Sequence, residues 1–149
     1  MLSEYRVIEL SDYPAGSILG MHLADQGAEV IKVEPVSTSE KFVSRQDLEF
    51  SVWNRGKKSF ALECDLNIID TSPSATLSKL ISISDILIEN IDIHTNEMAK
   101  KEINIALNIS YEMAKKVNPE IIYIKFTSFP ENHPYEHLPS KEELISSAS

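Results

Sequence analysis

Short apolar runs alternate along this chain with stretches in which apolar residues recur at helical spacing. Arg6–Leu10 (Arg-Val-Ile-Glu-Leu) is β-branched and extended, and Ser11-Asp12 after it reads as a helix cap. From Ala15 to Gln26 the residues Ile18, Leu19, Met21, Leu23 and Ala24 recur near a period of 3.6, and Gly27 closes the helix. Glu29–Val33 is a second strand, which makes the start of the chain a βαβ unit with two parallel neighbouring strands. Residues 35–50 are polar and loop-like, and Ser59–Glu63 is a third strand. Thr71-Ser-Pro-Ser74 signals a helix start before Ala75–Ile83, where Leu77, Leu80 and Ile81 share a face. Ile86–Ile88 is a fourth strand ending in Glu89-Asn90. Ser110–Val117 is a short helix stopped by Asn118-Pro119, and Ile121–Phe126 is a fifth strand.

Strands whose apolar residues run on continuously, separated by helices, predict an α/β fold with a mainly parallel sheet covered on both faces. The pattern places one such domain over residues 1–126. Residues 127–149 change character to Pro, Ser, His and Glu and read as a loop with one short helix from Lys141. No internal repeat is present.

Composition narrows the chemistry. The 149 residues are 42% hydrophobic and 25% charged, which suits a folded domain rather than a disordered one. No apolar run approaches a membrane span, and the amino terminus lacks the layout of a secretion signal, so no membrane partner is expected. Net charge is −9, which speaks against nucleic acid, because binding phosphates needs a basic face. The only local basic cluster is Arg45, Arg55, Lys57 and Lys58 beside Trp53. Cys64 is the single cysteine, so no internal disulfide forms and a reducing cytoplasm is expected. Its acidic neighbours Glu63 and Asp65 disfavour a reactive thiolate.

Four glycines and no glycine-rich phosphate loop argue against an ordinary nucleotide fingerprint. The first strand-to-helix turn, Ser11–Ala15, would still lie at the carboxyl end of the sheet, where a helix N-terminus can receive an anion. No Gly-x-Ser-x-Gly elbow occurs, so serine hydrolysis is a poor reading. His133, Glu136 and His137 have ligand-like spacing, but Pro134 interrupts the helix that would align them, and no metal site is expected. His22 in the first helix is read as a structural histidine.

Five segments arrive in a fixed order: Glu9-Leu-Ser-Asp-Tyr-Pro-Ala-Gly16, Val30-Ile-Lys-Val-Glu-Pro35, Asn54-Arg-Gly-Lys-Lys-Ser-Phe-Ala-Leu62, Ile86-Leu-Ile-Glu-Asn90 and Asn118-Pro-Glu-Ile-Ile-Tyr123. Together they resemble the amino-terminal part of the large, Rossmann-like domain of class III coenzyme A transferases. The tail His133-Pro-Tyr-Glu-His-Leu138 is similar to that of formyl-CoA transferases. The resemblance implies an interlocked dimer and a reaction in which an aspartate takes the acyl group before a CoA thioester forms on it. It puts that aspartate beyond Ser149, so no catalytic residue is expected among those given, and the fold is expected to be incomplete relative to the family.

Carried over position by position, the resemblance implies contacts to CoA from Tyr13, Pro14, Ala15, Lys57, Lys58, Leu62 and Asn90, with Glu142 as the remnant of an active-site loop. Other positions depart from the family pattern. Ser17 stands where Pro is common, Pro14 where some members have Gln, and Ile91-Asp92-Ile93-His94 replaces an aromatic, a glycine and an Arg. Asp65 stands where a basic residue often follows the third strand. The expectation is therefore a degenerate or truncated domain that does not catalyse transfer alone and serves a structural or interaction role. The alternatives are a fragment of an active transferase, or a binder of CoA without chemistry. No resident cofactor is implied, and CoA enters as substrate or ligand. Acyl-CoA and a second copy, chain or domain covering the incomplete sheet are the partners implied.

Overall fold

The structure is a computed structural model and describes residues 1–36, 48–63, 75–91, 109–129, 132–136 and 138. Five strands form one sheet: β1 (Arg6–Ser11), β2 (Glu29–Val36), β3 (Lys58–Glu63), β4 (Ile86–Asn90) and β5 (Ile122–Lys125). Four described helices connect them: α1 (Pro14–Asp25), α2 (Leu48–Trp53), α3 (Ala75–Ser82) and α4 (Tyr111–Val117). The order is β3-β2-β1-β4-β5 and every pairing is parallel. The expected α/β sheet is therefore present, with β1 at its centre and the direction of strand addition reversing beside it. Such a reversal opens a crevice at the carboxyl edge.

Alternation across the strands sorts the core into two layers. Ile8, Leu10, Val33, Leu62 and Leu87 face Leu77 and Ile81 of α3 and Ala114 of α4. Val7, Val30 and Ile88 face Leu19, Leu23 and Ala24 of α1. The α3 face formed by Leu77, Leu80 and Ile81 is the one its period predicts. β1 is buried on both sides, which is why it carries no exposed polar alternation.

Helix ends follow local chemistry. α1 closes in a Schellman turn: Gly27, at φ 98°, donates its N–H to Ala24 C=O (2.9 Å), and Ala28 N–H reaches Leu23 C=O (3.0 Å). α4 starts at Ser110, whose Oγ accepts from Met113 N–H at 3.2 Å. Asn118 ends it and ties it to the sheet layer through Ser84 C=O (2.7 Å).

Two expectations need correction. Ser11 does not cap α1. It is the last residue of β1, its hydroxyl turned inward, and Tyr13 occupies the N-cap position with no side-chain hydrogen bond to the helix. Residues 35–50 are not wholly a loop either, since β2 runs on to Val36 and α2 begins at Leu48. A helix of under two turns shows no usable period, and α2 packs against α1 rather than standing on its own propensity. The helix-start signal at 71–74, Arg45, Cys64, His94, His137, the helix expected from Lys141 and Glu142 lie outside the described residues.

No helix among the described residues is long and apolar enough to cross a membrane. Among the described residues β5 is an edge strand, and Ile122 on it is 54% exposed.

Candidate functional site

The polar heart of the molecule begins with two charges inside apolar strands. Glu9 in β1 and Lys32 in β2 are register partners, so their side chains stand beside each other on the α1 face. Lys32 Nζ lies 2.8 Å from Glu9 Oε1 and also donates to the Ser11 carbonyl (2.9 Å), Ser11 Oγ (3.1 Å) and Ser17 Oγ (3.3 Å). Ser11 Oγ donates to Glu9 Oε1 at 2.6 Å.

A second cation comes from the turn before β3. Lys57 Nζ lies 2.7 Å from Glu9 Oε2 and donates to the Ser17 carbonyl of α1 (2.8 Å) and to Asn54 Oδ1 (3.1 Å). The contact with Oε2 is an ion pair whose angle falls short of a hydrogen bond. Both side chains are out of water, Lys57 at 1% exposure and Glu9 at 0%. Burial alone would raise the Glu9 pKa, but the Lys32 and Lys57 ammoniums outweigh it and hold the carboxyl below its ordinary value. Lys57 is pulled down by burial, with Glu9 opposing and Lys32 adding, as expected where two cations share one carboxylate.

Besides the small Ser17, helix α1 meets this cluster where it has no side chain. A Cβ on Gly20 would fall 2.0 Å from Glu9 Oε2, and one on Gly16 would fall 2.7 Å from Asn90 Cβ and 2.8 Å from Ser11 Cβ. Four residues apart, the two glycines form one smooth strip along the helix.

The Gly16 contact leads to the carboxyl edge. Asn90 ends β4, accepts the Gly16 N–H on Oδ1 (3.0 Å) and donates from Nδ2 to Phe126 C=O (3.4 Å). Pro14 has no N–H, Gly16 N–H is held by Asn90 and Ser17 N–H returns to Tyr13 C=O, so three of the first four helical positions offer no free donor. Asn90 thus takes one of the N–H groups of the helix N-terminus that the sequence leaves open to an anion.

A separate buried carboxylate, Glu89, faces the α3–α4 layer. Tyr123 Oη donates to it, and Lys125 Nζ lies 3.1 Å away. Tyr123 Oη also lies 2.7 Å from Ile109 C=O. Burial first, then the adjacent Glu89, pushes the Tyr123 pKa up. In the tail, the Phe129 and His133 rings stack at 5.3 Å with Tyr135 edge-on to Phe129. No group of three or more His, Cys, Asp or Glu that could hold a metal occurs among the described residues.

The seven residues expected to touch CoA therefore divide. Tyr13, Pro14, Ala15 and Asn90 meet at the carboxyl edge, with Pro14 and Ala15 exposed. Lys57 lies beneath α1 and is engaged inside the protein. Leu62 is buried in the opposite core layer. Lys58 stands at the amino end of β3, 68% exposed and paired with Glu29, which Arg6 also holds. Glu142 lies outside the described residues. Sequence reasoning passed over Glu9, Lys32, Ser17 and Gly20. The available signal was a charge in the interior of each of the two strands expected at Arg6–Leu10 and Glu29–Val33, Glu9 in one and Lys32, of opposite sign, in the other.

Comparison with known proteins gives this geometry a context. The model of the family described as CoA-transferase family III matches residues 2–149. The acetyl-CoA:oxalate CoA-transferase of Acetobacter aceti is 30% identical over 96% of this chain and 35% of its own length. The succinyl-CoA:mesaconate CoA-transferase of Haloarcula hispanica is 35% identical over 86% of this chain and 32% of its own. Among solved structures, Rv3272 from Mycobacterium tuberculosis superposes with a TM-score of 0.70 at 28% identity, over 99% of this chain and 37% of that one. A CAIB/BAIF family protein from Brucella suis gives 0.66 at 26% identity, over 97% and 38%. The chain spans about a third of the length of the curated relatives it matches.

Proposed function

The chain belongs to CoA-transferase family III, and from that premise we propose that it supplies the coenzyme-A-facing α/β scaffold of such a transferase without performing transfer by itself. One observation carries the reading. Each buried carboxylate among the described residues is already engaged, Glu9 by Lys32 and Lys57 and Glu89 by Tyr123 and Lys125. A carboxylate held as the counter-ion of two ammoniums is a poor nucleophile toward a thioester, because attack would strip both cations of their partner. The turn Tyr13–Ala15, exposed at Pro14 and Ala15, supports with Asn90 a role in seating the ligand, and the attacking carboxylate comes, in this reading, from another segment or a second chain. The relatives' names pair CoA thioesters with oxalate or mesaconate, so a CoA thioester and a short carboxylic acid are the proposed substrate class.

The experiment is direct. Incubated alone with an acyl-CoA and a free acid, the chain is expected to give no CoA exchange above background, while calorimetry with CoA registers binding heat. Turnover by the isolated chain would overturn the scaffold reading. Absence of heat at millimolar CoA would remove the ligand-seating role and leave a purely structural one.

The β5 edge, which no other described strand pairs, and the exposed Ile122 support a partner, either a second copy or another chain or domain, because such an edge beside apolar surface invites pairing. Light scattering is expected to show association of the chain; a monomer stable to dilution counts against it. The single cysteine supports a reducing cytoplasm as the compartment, which cell fractionation tests.

A further inference from the structure

The short turn between α2 and β3 grips α1 at two places. Near its start, Lys57 Nζ donates to the Ser17 carbonyl and pairs with Glu9 in the strand below. Near its end, Arg55 makes a two-pronged pair with Asp25, Nη2 to Oδ2 at 2.5 Å and Nε to Oδ1 at 3.3 Å. Gly56, at φ 74°, reverses the chain between them, where an added Cβ would touch Ala24 Cβ at 3.5 Å. Ser17 and Asp25 are eight residues apart, or about 12 Å along a helix rising 1.5 Å per residue. A rod held at two points that far apart can neither slide along its axis nor rock about its middle. The inner anchor is the stronger constraint, because Lys57 is buried and charged while the Arg55–Asp25 pair is half in water.

We propose that Lys57 is a positioning residue: it fixes α1 on the sheet, and so sets where the turn Tyr13–Gly16 stands against Asn90, instead of touching the ligand itself. Its ammonium donates to the Ser17 carbonyl and Asn54 Oδ1, is neutralised by the Glu9 carboxylate and is 1% exposed, so it presents no charge to a phosphate outside the protein. Gly16, whose N–H Asn90 holds, lies directly before Ser17, so displacement at the anchor reaches the carboxyl-edge turn through a single residue. The significance of that turn rests on the CoA-scaffold reading; the clamp does not.

Lys57→Met tests it, since Glu9 keeps Lys32 as counter-ion and the core keeps most of its volume. Amide hydrogen exchange is the readout, with Ile81→Val on the opposite sheet face as a control that lowers stability without touching α1. Lys57→Met is expected to reduce protection of Gly16–Leu19 about tenfold beyond any change at β1 and β4, whereas Ile81→Val lowers α1 and strand protection together. Loss spread evenly over α1 and the strands in Lys57→Met overturns the proposal. Should that variant fail to fold, Asn54→Ala removes one acceptor of the same ammonium, and a selective loss at Gly16–Leu19 supports the clamp while an even loss overturns it. A CoA titration of the wild-type chain judges the functional reading separately, because the exchange pattern needs no ligand. Where wild type binds CoA, Lys57→Met is expected to weaken it by about tenfold, and unchanged affinity would overturn the link from the clamp to the turn.

Discussion

Replacing Glu9 with alanine is expected to destabilise the fold by about 3–5 kcal/mol, the usual cost of breaking a buried ion pair from one side. The substitution leaves Lys32 and Lys57 in the same dry space with no counter-charge between them, 8% and 1% exposed respectively. Set against a typical total of about 5–15 kcal/mol for a domain, that is a large share. Glu9→Gln separates charge from volume. The amide fills the site, so a loss nearly as large assigns the effect to electrostatics, and a midpoint in urea close to wild type would show that packing alone holds the cluster.

The pH dependence gives the same test a sign. Because the folded-state pKa of Glu9 is held below its unfolded value, its contribution is fully present above about pH 4.3 and disappears as pH falls through the lowered folded value. The stability gap between wild type and Glu9→Gln should therefore be widest near neutrality and narrow on acidification below that point. Glu29, held low by Lys58 and Arg6, and Glu112, held low by hydrogen bonds from its own backbone and Ser110, titrate in both proteins and cancel in the difference. A gap that stays constant down to strong acid would remove Glu9 ionisation as the cause.

Gly20→Ala is expected to destabilise by about 3 kcal/mol or more, against the sign of helix propensity, which favours alanine by about 1 kcal/mol. The new methyl would lie 2.0 Å from Glu9 Oε2 and 3.1 Å from Lys57 Nζ. Glu9 has no room to yield, being held by Ser11, Lys32 and Lys57 at once. The helix must lift instead, which stretches the Lys57–Ser17 and Gly16–Asn90 contacts as well. Denaturant unfolding measures the loss. A variant as stable as wild type would mean that α1 does not approach the carboxylate so closely.

Much of this architecture is legible one segment at a time. The apolar runs at Arg6–Leu10, Glu29–Val33, Ser59–Glu63, Ile86–Ile88 and Ile121–Phe126 mark all five strands, and Leu77, Leu80 and Ile81 mark the buried face of α3. Ser110 and Gly27 announce helix ends because their signals act within one turn. Ser11 shows where that reading fails. A serine before a helix is equally a cap or a strand end, and here the buried charge of Lys32 drew its hydroxyl inward. Of the proposed ligand-facing residues, the turn ending at Ala15 is legible from the order of strands and helices and Asn90 from the family resemblance, whereas the environment of Lys57 is legible from neither.

What this sequence determined by itself is the kind and succession of its elements, since hydrophobic periodicity and capping are properties of neighbours along the chain. Which charges meet was decided only by the tertiary structure. Glu9 finds Lys32 through strand register and Lys57 through the turn before β3, and Gly20 has its importance because that pair fills the space beneath it. Burial rewards any apolar contact in proportion to area, but an ion pair depends on separation and on the absence of water, and both are set when distant segments pack.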